Sequence, residues 1–133
     1  MKEGATPAPV VVIAEDDDAI AALVAAALRD ELGMEPIVVS NGALVVDAVA
    51  GSVASLLVLD VQLPGASGID VYDVVRNHHA LAGIPVLFLT ADPARAASAL
   101  PGKGPREVIA KPFDVDDLVR QVRALLEVAE AAA

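Results

Sequence analysis

Five short runs of aliphatic residues, rich in β-branched side chains, recur along the sequence at 10–14, 36–39, 56–59, 85–89 and 108–110. Each is too short for a buried helix and too uniformly apolar for a strand with one wet face, so they read as parallel strands covered on both sides. Helical apolar periods lie between them. Ile20, Leu23, Val24, Ala27 and Leu28 share one helical face after the first run, and Ile69, Tyr72 and Val75 share one after the third. The last segment carries Val115, Leu118, Val119, Val122, Leu125 and Leu126 on one stripe, with Asp116, Asp117, Arg120 and Arg123 off it. A second helix near 43–50 is more evenly apolar. A fourth at 94–100 is short or distorted, because Pro101, Gly102, Gly104 and Pro105 follow and cannot sustain it. Strict strand–helix alternation predicts an α/β three-layer sandwich, since right-handed crossovers place helices on both faces of a parallel sheet.

One domain is expected from 133 residues, of which 56% are hydrophobic. Residues 1–9 contain Gly4, Pro7 and Pro9 without an apolar period and read as a flexible leader; 10–128 form the domain, and 129–133 an alanine-rich tail with no room for an output domain. The formal net charge of −10 and the lack of a basic cluster argue against nucleic acid as a partner. Cysteine is absent, which excludes disulfides, thiolate zinc sites and a cysteine nucleophile. The longest apolar run, 19–28, is too short to span a membrane and follows four acidic residues, so a membrane-inserted protein is not expected.

In an open α/β sheet, ligands bind beyond the carboxyl ends of the strands. There the sequence places Glu15, Asp16, Asp17 and Asp18 after the first run, Asp60 after the third, Thr90 after the fourth, and Lys111-Pro112 after the fifth. Clustered carboxylates at an apolar sheet edge repel one another, and a hard divalent cation with oxygen ligands relieves that cost. Mg²⁺ is the natural occupant, and because it completes its shell with phosphoryl oxygens, phosphate chemistry follows. Each residue also has a plain structural reading. The acidic run would cap the first helix, Asp60 would form a turn before Pro64 and Gly65, Thr90 would be an ordinary strand end and Lys111 a solvated charge. Their joint placement on separate strand ends of one sheet favours chemistry.

The motifs Val-Val-Ile-Ala-Glu-Asp-Asp (11–17), Leu-Leu-Val-Leu-Asp-Val-Gln-Leu-Pro-Gly-Ala-Ser-Gly (56–68), Leu-Thr-Ala (89–91) and Lys-Pro-Phe (111–113) resemble those of response-regulator receiver domains of bacterial two-component signalling. The resemblance covers about residues 9–128. It implies a flavodoxin-like five-stranded sheet in the order 2-1-3-4-5 with about five helices. Asp60 would be the phospho-acceptor, fed by a sensor histidine kinase or a histidine phosphotransfer protein. Asp16, Asp60 and the Gln62 backbone carbonyl would ligate Mg²⁺ (or Mn²⁺), with Glu15 acting through water. Lys111 and Thr90 would hold phosphoryl oxygens, and the Lys111–Pro112 bond would be cis. The intervals from Asp16 to Asp60 and from Asp60 to Thr90 match the family's. Gln62 and Asp92 occupy positions where receivers tune the attacking water. The family implies a signalling phospho-acceptor rather than a classical enzyme, cytoplasmic, and a monomer or weak dimer acting through protein contacts.

Three departures stand out. Val108 occupies the position of a usually aromatic switch residue, the Thr90–Lys111 interval is slightly short, and Ser67 replaces a frequent Asp. His78 and His79 read as solvated residues ending the third helix. A dehalogenase-like phosphatase predicts a second acid where Gln62 stands, and a flavodoxin-like nucleotide binder needs phosphate-cradling donors where the acidic run stands. A degenerate receiver that binds partners without phosphorylation is the remaining alternative, opposed by the intact Asp16, Asp60, Thr90 and Lys111.

Overall fold

The computed structural model describes residues 7–100 and 104–132. Its elements alternate: β1 (Val10–Ala14), α1 (Asp18–Leu32), β2 (Glu35–Val39), a 3-10 turn (Gly42–Leu44) running into α2 (Val45–Ser52), β3 (Leu56–Asp60), α3 (Gly68–Asn77), β4 (Val86–Thr90), α4 (Pro93–Ala99), β5 (Arg106–Ala110) and α5 (Val115–Ala132). All strand pairs are parallel and the sheet order is β2-β1-β3-β4-β5, as expected. Strand β1, second in the sheet, lies between β2 and β3, so the crossover direction reverses there and opens a crevice above the ends of β1 and β3.

The central strands β3 and β4 are buried at every position, which accounts for their unbroken apolar runs. Alternate residues feed two cores. Val11, Ile13, Leu56, Val58, Leu87 and Leu89 pack against the apolar stripes of α1 and α5, while Val12, Ala14, Leu57, Leu59, Val86 and Phe88 pack against α2, α3 and the end of α4. Burying a side chain of this size contributes roughly 1.5–3 kcal/mol, so the sheet is a firm base for the residues at its rim.

Strand limits differ from the sequence reading at the polar ends. β2 begins at Glu35 and β5 at Arg106, each drawn into its ladder by a neighbour (Val10↔Glu35 and Val86↔Arg106), an effect that apolar patterning alone cannot register. The second helix is also displaced, with Asn41 capping the 3-10 turn before α2 starts at Val45. Helix α4 is two turns long; Pro101 and Gly102, which were expected to end it, lie outside the described residues, as do residues 1–6. Helix α5 continues to Ala132 through most of the expected tail, consistent with the high helix propensity of alanine.

At the rim opposite the crevice, Arg76 ties loops together. Its guanidinium donates to the carbonyls of Ala82 (2.8 Å), Ile84 (2.7 Å) and Pro105 (2.9 Å), and Nε donates to the Tyr72 hydroxyl at 2.9 Å. Gly104, at φ +144, leaves room for this side chain, since a Cβ there would overlap Arg76. Tyr72 is fully buried and meets Phe88 edge to face at 5.1 Å.

Candidate functional site

Each polar residue at the crevice is delivered by the end of a strand whose body is locked in the core. Glu15 directly follows β1, where its N–H donates to the Val39 carbonyl at 3.1 Å. Asp60 and Thr90 are the last residues of β3 and β4, 5% and 7% exposed, and the N–H of Lys111 donates to the Thr90 carbonyl at 2.8 Å. The Lys111–Pro112 peptide is cis. Gly68 fits tightly beneath the β3–α3 loop, where a Cβ would overlap the Asp60 carbonyl, and Ser67 caps α3 by accepting from the Asp70 N–H at 3.2 Å.

Lys111 is the hub of the charged cluster. Its Nζ lies 2.6 Å from Glu15 Oε1 and 3.1 Å from Asp60 Oδ2, while Asp60 Oδ1 accepts from the Gln62 N–H at 3.0 Å. Asp60 is therefore fixed at both oxygens. Burial, more than any other influence, raises the Glu15 pKa to about 7; hydrogen bonding and charge from Asp60 push the same way and Lys111 opposes. Burial also works to lower the Lys111 pKa, but its bonds to Glu15 and Asp60 together outweigh that and leave it above the usual lysine value.

The donor set suits a hard cation. Ligand oxygens of Glu15, Asp16 and Asp60 lie within 4.8 Å of one another, and Glu15 Oε2 is buried without a hydrogen-bond partner. Leaving such an oxygen unsatisfied is costly, and a divalent cation or its bound water would satisfy it. Above the cluster is a cleft of about 710 Å³ lined by Asp16, Asp17, Asp60, Gln62, Thr90 and Lys111, among others. Its volume accommodates a group the size of a phosphoryl beside Asp60.

The structure thus brings Glu15, Asp16, Asp60, Gln62, Thr90 and Lys111 together. Asp92 is exposed beside them, its N–H donating to Thr90 Oγ1 (3.0 Å) and its carboxylate capping α4 by accepting from the Arg95 N–H at 3.1 Å. Val108 does not line the cleft; it pairs with Phe88 in the sheet and packs, half-buried, on the face of α2 and α3. His78 and His79 are exposed at the end of α3, as expected. The sequence reading passed over Arg95, which lines a second hollow of about 450 Å³ with Gln62, Ser67, Thr90, Asp92 and Ala96. Its signal was a lone cation in the alanine-rich stretch 91–99.

Comparison with known proteins agrees with this geometry. The family profile of the response regulator receiver domain matches residues 11–123. The DNA-binding response regulator MtrA of Mycolicibacterium smegmatis is 35% identical over 118 residues, which are 87% of this chain and 50% of that protein. The chain spans about half the length of the curated relatives it matches. Among solved structures, the chemotaxis response regulator CheY4 of Vibrio cholerae superposes with a TM-score of 0.78 at 21% identity, covering 90% of this chain and 99% of that one. The receiver domain of sensor histidine kinase PA1611 from Pseudomonas aeruginosa PAO1, solved with magnesium coordinated in its active-site cleft, gives 0.78 at 21% identity, covering 91% and 99%.

Proposed function

Because this chain belongs to the response regulator receiver domain family, we propose that it accepts a phosphoryl group on Asp60 from a phosphohistidine of a sensor kinase or histidine phosphotransfer protein. The observation that carries this reading is the Asp60 carboxylate held at both oxygens, by Lys111 Nζ at 3.1 Å and by the Gln62 N–H at 3.0 Å, at the floor of an open cleft. An Asp60 oxygen attacks phosphorus; the new P–O bond forms as the P–N bond to the imidazole breaks, and the imidazole leaves with the electron pair and takes a proton. Catalysis of this kind is mainly positioning and charge neutralisation. Lys111 shifts from Asp60 to a phosphoryl oxygen, and the Thr90 hydroxyl donates to another. Asp16, Asp60 and the Gln62 carbonyl, with Glu15 behind them, would hold Mg²⁺ or Mn²⁺, which would supply the remaining positive charge. Gln62 and Asp92, flanking Thr90, set the access of water and so the lifetime of the acyl phosphate.

Output passes through protein contacts in the cytoplasm, from a monomer or weak dimer. The net charge of −10 leaves this span poorly suited to bind DNA itself, whatever its longer relatives do. Among the described residues, no helix is long and apolar enough to cross a membrane. Intact-mass analysis after incubation with Mg²⁺ and a small phosphodonor, beside Asp60→Ala, tests the proposal. A gain of about 80 Da in the wild type alone supports it. No adduct, and no binding of the phosphoryl analogue beryllofluoride, overturns it in favour of a phosphorylation-independent interaction module.

A further inference from the structure

We propose that Arg95 is a second cation for the phosphoryl group, an inference that rests on the phospho-acceptor reading of Asp60. The cleft over Asp60 and the hollow beside α4 share Val61, Gln62, Ser67 and Thr90 as walls, so the two adjoin at Thr90. Arg95 is the cation lining the hollow. Its side chain is exposed and, among the described residues, makes no ion pair. Asp92, the acid nearest in sequence that lines the same hollow, directs Oδ1 to the Arg95 backbone N–H instead.

Charge balance supplies the reason for a second cation. Glu15, Asp16 and Asp60 face a single lysine, so the site before phosphorylation is matched by Lys111 and one divalent ion. Phosphorylation replaces the single charge of Asp60 with a group carrying about −1.5 to −2. Lys111 has one ammonium to offer, and Thr90 has no charge. A guanidinium across Thr90 neutralises the added charge and can donate to two phosphoryl oxygens at once, a geometry a lysine lacks. Arg95 lies in the first turn of the two-turn α4, where its N–H donates to the capping Asp92 carboxylate and its side chain is exposed to the hollow.

The test titrates beryllofluoride into the Mg²⁺-loaded full chain by calorimetry, comparing wild type, Arg95→Gln, Arg95→Lys and Arg123→Gln. Arg123 is exposed on α5 and controls for loss of one positive charge elsewhere. Arg95→Gln is expected to weaken beryllofluoride binding about tenfold, the loss of one charge-assisted contact, with Mg²⁺ affinity in its absence unchanged. Arg95→Lys, which restores the charge but not the two-oxygen geometry, recovers only part of the loss, and Arg123→Gln matches the wild type. Equal affinity in Arg95→Gln and wild type overturns the role of Arg95 alone, as does an equal loss in Arg123→Gln. Failure of the wild type to bind beryllofluoride overturns the phospho-acceptor reading and this inference with it.

Discussion

Glu15 shows how a single side chain couples metal, proton and stability. Its pKa rises from 4.5 to about 7 on folding, so between those values the folded protein binds more protons than the unfolded chain, and stability falls as pH rises across that window. In chelator, the melting temperature is therefore expected to drop from pH 5.5 to pH 8, with a smaller drop in Glu15→Gln, read by thermal scans. A divalent cation reverses the preference because it selects the ionised carboxylate. Mg²⁺ affinity, followed by calorimetry, should weaken below about pH 7 by up to tenfold per unit. On stability, Lys111 acts in the same direction as Glu15 at higher pH: its contribution, present at neutral pH, is lost as pH rises through its raised pKa. At the other rim, Arg76→Met takes a donor from the Ala82 and Ile84 carbonyls, from the Pro105 carbonyl, which keeps the Val86 N–H, and from the Tyr72 hydroxyl, which keeps Arg106 at 3.4 Å. A loss of about 2 kcal/mol is expected, seen as a lower urea midpoint at constant slope.

Among the elements, the two helices that follow β4 and β5 differ most. Helix α5, 18 residues long, lays Leu118, Val122 and Leu125 into the core, whereas α4 buries Ala96 alone of its residues. Hydrogen exchange should find α4 exchanging by local opening, at least about tenfold faster than the middle of α5; equal protection of the two would contradict this. The sequence made the central elements legible because a strand buried on both faces and a helix with one apolar stripe leave opposite signatures, as in 56–59 and 115–126. It was silent where polar residues join an element for reasons of partnership. Arg106 and Glu35 enter strands because Val86 and Val10 pair with them, and α2 starts late because Asn41 caps a tighter turn first. The site was legible for a related reason: strand ends are fixed points, so Glu15, Asp60, Thr90 and Lys111 could be placed from the apolar pattern alone. Arg95 could not, because a residue on a short helix has no such anchor, and only the shared wall of two hollows gives it a place.

For the whole molecule, the distribution of charge is uneven. Most cations follow Thr90 in the chain, at Arg95, Lys103, Arg106, Lys111, Arg120 and Arg123, while the acids are spread throughout. A net charge of −10 on a small body repels itself, and that repulsion is screened as the Debye length shortens. Raising NaCl from about 20 to about 200 mM should raise the melting temperature by a few degrees, and an unchanged or lower value would show that local pairs outweigh the collective field. The sheet that bears this charge is asymmetric in rigidity as well. Arg76 fastens the return of the chain into β5 to the end of α3 and the approach to β4, on the side away from the cleft. The connection between β4 and β5 is thus anchored at Thr90 by the sheet and at Pro105 by Arg76, with the lightly packed α4 between these two anchors, like a reed tied at both ends. A disturbance at the cleft is therefore expected to find its softest neighbour in α4, and the loops that Arg76 binds together are the last to yield.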